Sequence, residues 1–171
     1  MKNQILDITQ ENLAAEVIKA RRKSVKEFGS IEHRLEFVDE LEGVEYINDS
    51  KATDFNSTWY SIESMERPVV WIVGISEYES DYSIFSELVE DRVKSIICLG
   101  DNPDQLLGTM VFDRELFYTA DTIDKAVELA NDIANTGDVV LFSPACSSFD
   151  LYQNYKDRGQ QFRKAVEKLN V

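Results

Sequence analysis

The chain has 171 residues, 43% of them hydrophobic and 11% aromatic, which suits one well-packed domain with a short appendage and excludes intrinsic disorder. Thirty-two acidic against 18 basic residues leave a net charge of −14, which repels a phosphate backbone over most of the surface and argues against a nucleic-acid partner. No apolar run approaches the ~18 residues of a membrane span, and Met1-Lys2-Asn3-Gln4-Ile5-Leu6-Asp7 lacks a signal-peptide core, so a cytoplasmic protein without membrane attachment is expected.

Residues 11–28 have the period of an amphipathic helix, with Leu13, Val17, Val25 and Phe28 near one stripe and Lys19-Ala20-Arg21-Arg22-Lys23 on a solvated face. Gly29-Ser30 end it. Leu35-Glu36-Phe37-Val38 and Val44-Glu45-Tyr46-Ile47 alternate and are joined through Glu42-Gly43, which predicts a β-hairpin at a sheet edge. Strands are then expected at Val69–Val73, Ser95–Leu99, Leu116–Tyr118 and Val139–Phe142, near-continuous apolar runs of the kind that strands covered on both faces require. Helices are expected at 56–65, 81–91, 103–109, 122–135 and 150–169, with Asp121-Thr122 as a cap; helix and strand signals mix over 101–120. The sum is an α/β fold, a Rossmann-like and mostly parallel sheet with helices on both faces and an edge hairpin. Right-handed crossovers would bring the loops after strands 44–47, 69–73 and 139–142 to one edge of the sheet, where one site can draw on all three.

Cys98 lies in an apolar strand and Cys146 in a loop, without CxxC spacing and with His33 as the single histidine, so neither a disulfide framework nor a metal site is supported. No GxxxxGK[ST] or GxGxxG loop is present, so the chain has no self-contained cradle for a triphosphate.

Two loops carry the chemistry. Asn48-Asp49-Ser50-Lys51-Ala52-Thr53 follows an apolar strand and precedes Asn56-Ser57-Thr58 at a helix start; Lys51 with that helix N-terminus suits a phosphate or carboxylate. The same residues also suit an Asx-rich turn that caps the helix, although such a turn has no use for Lys51. Ser143-Pro144-Ala145-Cys146-Ser147-Ser148-Phe149-Asp150 follows the last strand, and its small residues, hydroxyls and free N–H groups at a helix start could accept a carboxylate; a Ser cap punctuated by Pro is the alternative. In the last helix, Asn154-Tyr155-Lys156-Asp157-Arg158-Gly159 carries an interior glycine and an aromatic residue that suits the core or a ligand.

Together with His33-Arg34-Leu35-Glu36, these motifs run in order from about residue 10 to the end and resemble the C-terminal domain of Mur ligases, nearest to the D-glutamate-adding branch. That resemblance implies ATP-dependent amide-bond formation in peptidoglycan precursor synthesis, through an acyl phosphate attacked by the amine of D-glutamate. It also implies three domains, of which this chain resembles the third: residues 1–30 the end of the central domain plus a hinge at 29–34, and 31–171 the amino-acid-binding lid. Carried over by position, Arg34, Asp49 and Lys51 meet the nucleotide, while Lys51, Thr53, Ser148, Phe149 and Tyr155 line the pocket for D-glutamate or a similar amino acid. ATP and magnesium serve the full enzyme, and none of these residues is assigned to catalysis or to metal. A lid that adds charged donors on closure shields an acyl phosphate from water.

Two positions depart from the family pattern. Gly74-Ile75-Ser76-Glu77-Tyr78-Glu79 lacks the usual second glycine and the lysine that grips the side-chain carboxylate, with Tyr78 about where that lysine stands; one lost charged hydrogen bond is worth about 1.5–3 kcal/mol. Asp54 replaces the usual asparagine. The expectation is a ligase module inactive in isolation and active only with the other domains supplied in trans. The rival is a stand-alone or degraded lid that binds a nucleotide, an amino acid or a protein, with residues 11–28 mediating self-association or docking on separate Mur ligase domains.

Overall fold

Alternation in Glu36–Leu41 (β1) and Val44–Asn48 (β2) produces an antiparallel hairpin. Its two connecting residues, Glu42 and Gly43, both adopt left-handed backbone at φ 50° and 82°, the geometry a two-residue hairpin turn needs to match the strand twist. The structure is a computed structural model and describes residues 32–75, 80–100, 103–148 and 152–170, all within the unit Ile31–Val171. The expected helix at 11–28, the Gly29-Ser30 hinge, Tyr78 and Phe149 lie outside the described residues.

After the hairpin the chain alternates strand and helix: α1 (Phe55–Glu63), β3 (Val69–Gly74), a 3₁₀ turn (Tyr82–Phe85) running into α2 (Ser86–Arg92), and β4 (Val93–Leu99). Then come α3 (Asp104–Thr109), a 3₁₀ turn (Arg114–Leu116), β5 (Phe117–Ala120), α4 (Ile123–Ile133), β6 (Val139–Phe142) and α5 (Tyr155–Lys168). The six strands form one sheet in the order β1-β2-β6-β3-β4-β5, parallel throughout except for the β1–β2 edge pair. Every residue of β3 and β6 is buried, as the continuous apolar runs predict.

Strand parity sorts the core into two layers. Val70, Ile72, Val140 and Phe142 face α4 and α5, whereas Trp71, Val73, Val139 and Leu141 face α1, the first 3₁₀ turn, α2 and α3. Two expected boundaries move. The helix expected at 81–91 is a 3₁₀ turn followed by a short α-helix, and the helix expected from 150 starts at Tyr155, where the Asn154 side chain accepts from the Lys156 and Asp157 N–H groups. Asp54, rather than a residue of 56–58, caps α1 by accepting from Ser57 N, and Thr122 caps α4.

Helix α5 is docked by an aromatic pair and by a polar plug. Phe162 stacks on Phe142 with ring centroids 4.9 Å apart. At the other contact the fully buried His33 ring lies against Gly159; a Cβ there would come within 2.7 Å of His33 Cγ and 2.9 Å of Cε1. Gly159 → Ala should therefore destabilise the fold by about 1–3 kcal/mol through overpacking, despite roughly 1 kcal/mol of improved helix propensity. Urea unfolding measures it, and adding His33→Ala should recover part of the loss.

Candidate functional site

Strand order places β6 between β2 and β3, so the loops that follow these three parallel strands emerge side by side. Backbone bonds join them: Asp49 N donates to Phe142 O (2.8 Å), Ala145 N to Ala52 O (3.2 Å) and Gly74 N to Pro144 O (2.9 Å). Trp71, buried on β3, donates its indole N–H to Ser143 O at 2.8 Å and pins the start of the third loop from below. Ala145 takes left-handed backbone at φ 59°, which turns that loop back over the sheet.

The first loop is organised by side chains that point inward. Asn48, at the end of β2, reaches His33 Nδ1 (2.8 Å), Glu36 Oε2 (3.1 Å) and Gly159 O (3.2 Å) with one amide nitrogen, while its oxygen accepts from Ser50 N (3.2 Å). These contacts hold the His33 ring in place against Gly159. Asp49 is 2% exposed; one carboxylate oxygen accepts from Leu35 N (3.1 Å), and the other lies 2.6 Å from Ser61 Oγ and 2.8 Å from Ser143 Oγ. It thus ties the hairpin's entry, α1 and the loop after β6 to one point. The Arg158 guanidinium, also 2% exposed, reaches from α5 into both loops.

What remains above this buried layer is the surface a ligand would meet. Lys51 is half-buried with its ammonium 5.8 Å from the centroid of the Tyr155 ring. Its backbone N–H donates to His33 O at 2.9 Å. Thr53 and Arg34 are exposed, Tyr155 is half-buried, and Ser148 is 3% exposed with its carbonyl accepting from Tyr152 N (3.1 Å). Lys51 and Tyr155 are therefore brought together from residues distant in sequence, whereas Asp49 lies beneath the surface with its oxygens engaged. The two helix starts invoked as anion sites carry their own side-chain acceptors, Asp54 on α1 and Asn154 on α5, and α5 begins seven residues after Ser148. Asp54 serves as the N-cap of α1.

Burial sets the electrostatics. It pushes the Asp49 carboxyl above its ordinary range, against the opposing pull of the Ser61 and Ser143 hydroxyls, Leu35 N and Arg34. Burial likewise lowers Arg158, and it lowers His33 despite Glu36 and Glu32 nearby. Cys98, in β4, is pushed up to about 12 and is inert as a nucleophile. Among the described residues no three His, Cys, Asp or Glu side chains converge as metal ligands, and no helix is long and apolar enough to cross a membrane.

Sequence reasoning missed His33, Ser61 and Arg158 as organisers of the site. The signal was the interior glycine of the last helix: a Gly inside α5 marks a close approach, here of His33, and Arg158 is its neighbour.

The family profile described as Mur ligase, glutamate ligase domain, matches residues 33–146. A UDP-N-acetylmuramoylalanine–D-glutamate ligase of Porphyromonas gingivalis is 46% identical over 153 residues, covering 88% of this chain and 34% of that protein. The same-named ligase of Christiangramia forsetii is 40% identical over 162 residues, covering 92% of this chain and 36% of its own length. The chain thus spans about a third of the length of the curated relatives it matches. Among solved structures, a MurF ligase from Thermotoga maritima in complex with ADP superposes with a TM-score of 0.51 at 16% identity, over 92% of this chain and 38% of that one. A bifunctional folylpolyglutamate synthase/dihydrofolate synthase from Yersinia pestis superposes with a TM-score of 0.54 at 17% identity, over 83% of this chain and 32% of that one. These likenesses show a shared fold.

Two outcomes test the buried layer. Asp49→Ala removes the acceptor of Leu35 N and one of two partners of each of the Ser61 and Ser143 hydroxyls, which keep Ser57 O and Thr58 Oγ1, and should cost about 1–3 kcal/mol in urea unfolding, with Asp49→Asn recovering part of it. His33 is held below its ordinary 6.5, so the unfolded chain takes up a proton that the folded chain resists. Its contribution is present above pH 6.5 and is lost as pH falls toward the folded value. Asp49, raised, acts in the opposite sense; comparing wild type with His33→Asn, which suits the φ of 65° at that position, isolates the histidine. The urea midpoint of wild type should fall more steeply between pH 6.5 and 5 than that of the variant.

Proposed function

The chain belongs to the Mur ligase C-terminal domain family, and from that premise we propose that it presents D-glutamate in a UDP-N-acetylmuramoylalanine–D-glutamate ligase of peptidoglycan precursor synthesis. In this reading residues 1–30 correspond to the end of a central domain plus hinge and 31–171 to the amino-acid-binding lid, acting in the cytoplasm. The observation that supports it best is the pairing of Lys51 with Tyr155 above a stitched, buried base: it offers one ammonium beside an aromatic wall at the sheet edge where open α/β folds hold ligands.

The residues divide into two roles. Lys51, Thr53, Ser148, Phe149 and Tyr155 would line the amino-acid site, and Arg34 with Lys51 would face the nucleotide. An exposed guanidinium and a half-buried ammonium fit phosphates. Bound ATP would supply the phosphoryl group that activates a carboxylate for attack by an amine. Asp49 would serve this site from beneath, by holding the loop that carries Lys51. Among the described residues no three His, Cys, Asp or Glu side chains converge as metal ligands.

One feature favours a second reading, a lid that binds without supporting ligation. Tyr78, outside the described residues, stands about where the family's carboxylate-gripping lysine is expected, with Glu77 and Glu79 beside it. Tyr78→Lys should tighten D-glutamate binding by calorimetry; an unchanged affinity counts against that placement of the loop.

A chimera decides between the two readings. Residues 31–171 joined to the preceding domains of the Porphyromonas gingivalis ligase should form ADP in a D-glutamate-dependent manner, and Lys51→Ala should reduce its kcat about 10²-fold. A folded chimera without turnover would sink the ligase reading, and the 171-residue chain alone should turn over no ATP.

A further inference from the structure

We infer that Arg158 is a positioning residue that sets the register between the Lys51 loop and the Ser148 loop. Its guanidinium donates from Nε to Ser50 Oγ (3.1 Å) and from Nη2 to Ser50 O (2.9 Å), and from Nη1 to Cys146 O and Ser147 O, both at 3.1 Å. Nη1 also lies 3.7 Å from Cys146 Sγ. Ser50 in turn donates its hydroxyl to Tyr155 O at 2.8 Å, one turn before Arg158 on the same helix. One rigid, planar group thus grips both loops immediately before Lys51 and Ser148.

Burying a guanidinium is costly unless its N–H groups are satisfied. Here the acceptors found for it are neutral oxygens drawn from both loops, so the cation is satisfied only while the loops keep this spacing. Lysine at this position would keep the charge and lose the fork, because three donors on one atom cannot span carbonyls on opposite sides. The side chain touches no group assigned to a ligand; its effect on binding passes through the distance between the two loops. A misplacement of about 1 Å in such a site can cost up to 10²-fold.

This inference rests on the amino-acid site proposed above, and the test separates the two. In the 171-residue chain, Arg158→Lys should speed amide exchange at 50–52 and 145–148 together by about tenfold, with exchange in β3 and α4 unchanged, and weaken D-glutamate binding measured by calorimetry by a similar factor. A purely structural role would instead lower the protection of β3 and α4 along with the loops. Wild-type exchange in either loop of the variant, or unchanged D-glutamate affinity, would overturn the inference. Should Arg158→Lys not fold, Ser50→Ala removes the hydroxyl that Nε grips and should accelerate exchange in the same two loops by a smaller factor; unchanged exchange overturns the inference equally. Failure of the wild type to bind D-glutamate refutes the site proposal, and loop exchange then decides the role of Arg158 by itself.

Discussion

A carboxylate withdrawn from water has to find its hydrogen bonds inside the protein, and Asp49 can find them only if three separate pieces of chain converge. Leu35 N, Ser61 Oγ and Ser143 Oγ come from the hairpin entry, from α1 and from the loop after β6. The penalty for leaving any of them unmatched is of the order of 1–3 kcal/mol. Formation of the loop is therefore tied to formation of the whole sheet edge, and the side chains displayed above it inherit that rigidity.

The same logic recurs nearby. Asn48 gathers His33, Glu36 and the Gly159 carbonyl, and Arg163 reaches Glu36 from one turn further along α5 at 3.2 Å. The site is thus a thin displayed layer, with Lys51, Thr53 and Tyr155 uppermost, over a dense polar base that is itself seated on an apolar sheet. Solvated ion pairs elsewhere on this acidic chain, such as Lys125 with Asp121, contribute little by comparison.

The architecture was legible because apolar runs and the Glu42-Gly43 turn act locally: β1, β2, β3, β4 and β6 fall where composition places them, and the three loops share an edge as right-handed crossovers demand. Boundaries set by side-chain caps were less so. The last helix begins at Tyr155 behind an Asn154 cap rather than at residue 150, because an Asx cap competes with helix continuation at a position that apolar periodicity does not register. Lys51 and Tyr155, both singled out in the sequence, lie together in the structure, and the match to Mur ligase relatives bears out the family reading. His33 and Arg158 stand in the motifs that carry the family resemblance, but their packing roles were not legible, since both act through contacts to residues far apart in the chain.

Gly74 shows where such a protein has no freedom to change. A Cβ at this position would be driven into the Cys146 thiol and lie 3.2 Å from Pro144 O, so the last residue of β3 is locked to the neighbouring loop by lack of room. Gly74 therefore passes strain sideways: a side chain placed there would press on the loop that carries Cys146, and through the Cys146 carbonyl on the Arg158 guanidinium that holds both loops.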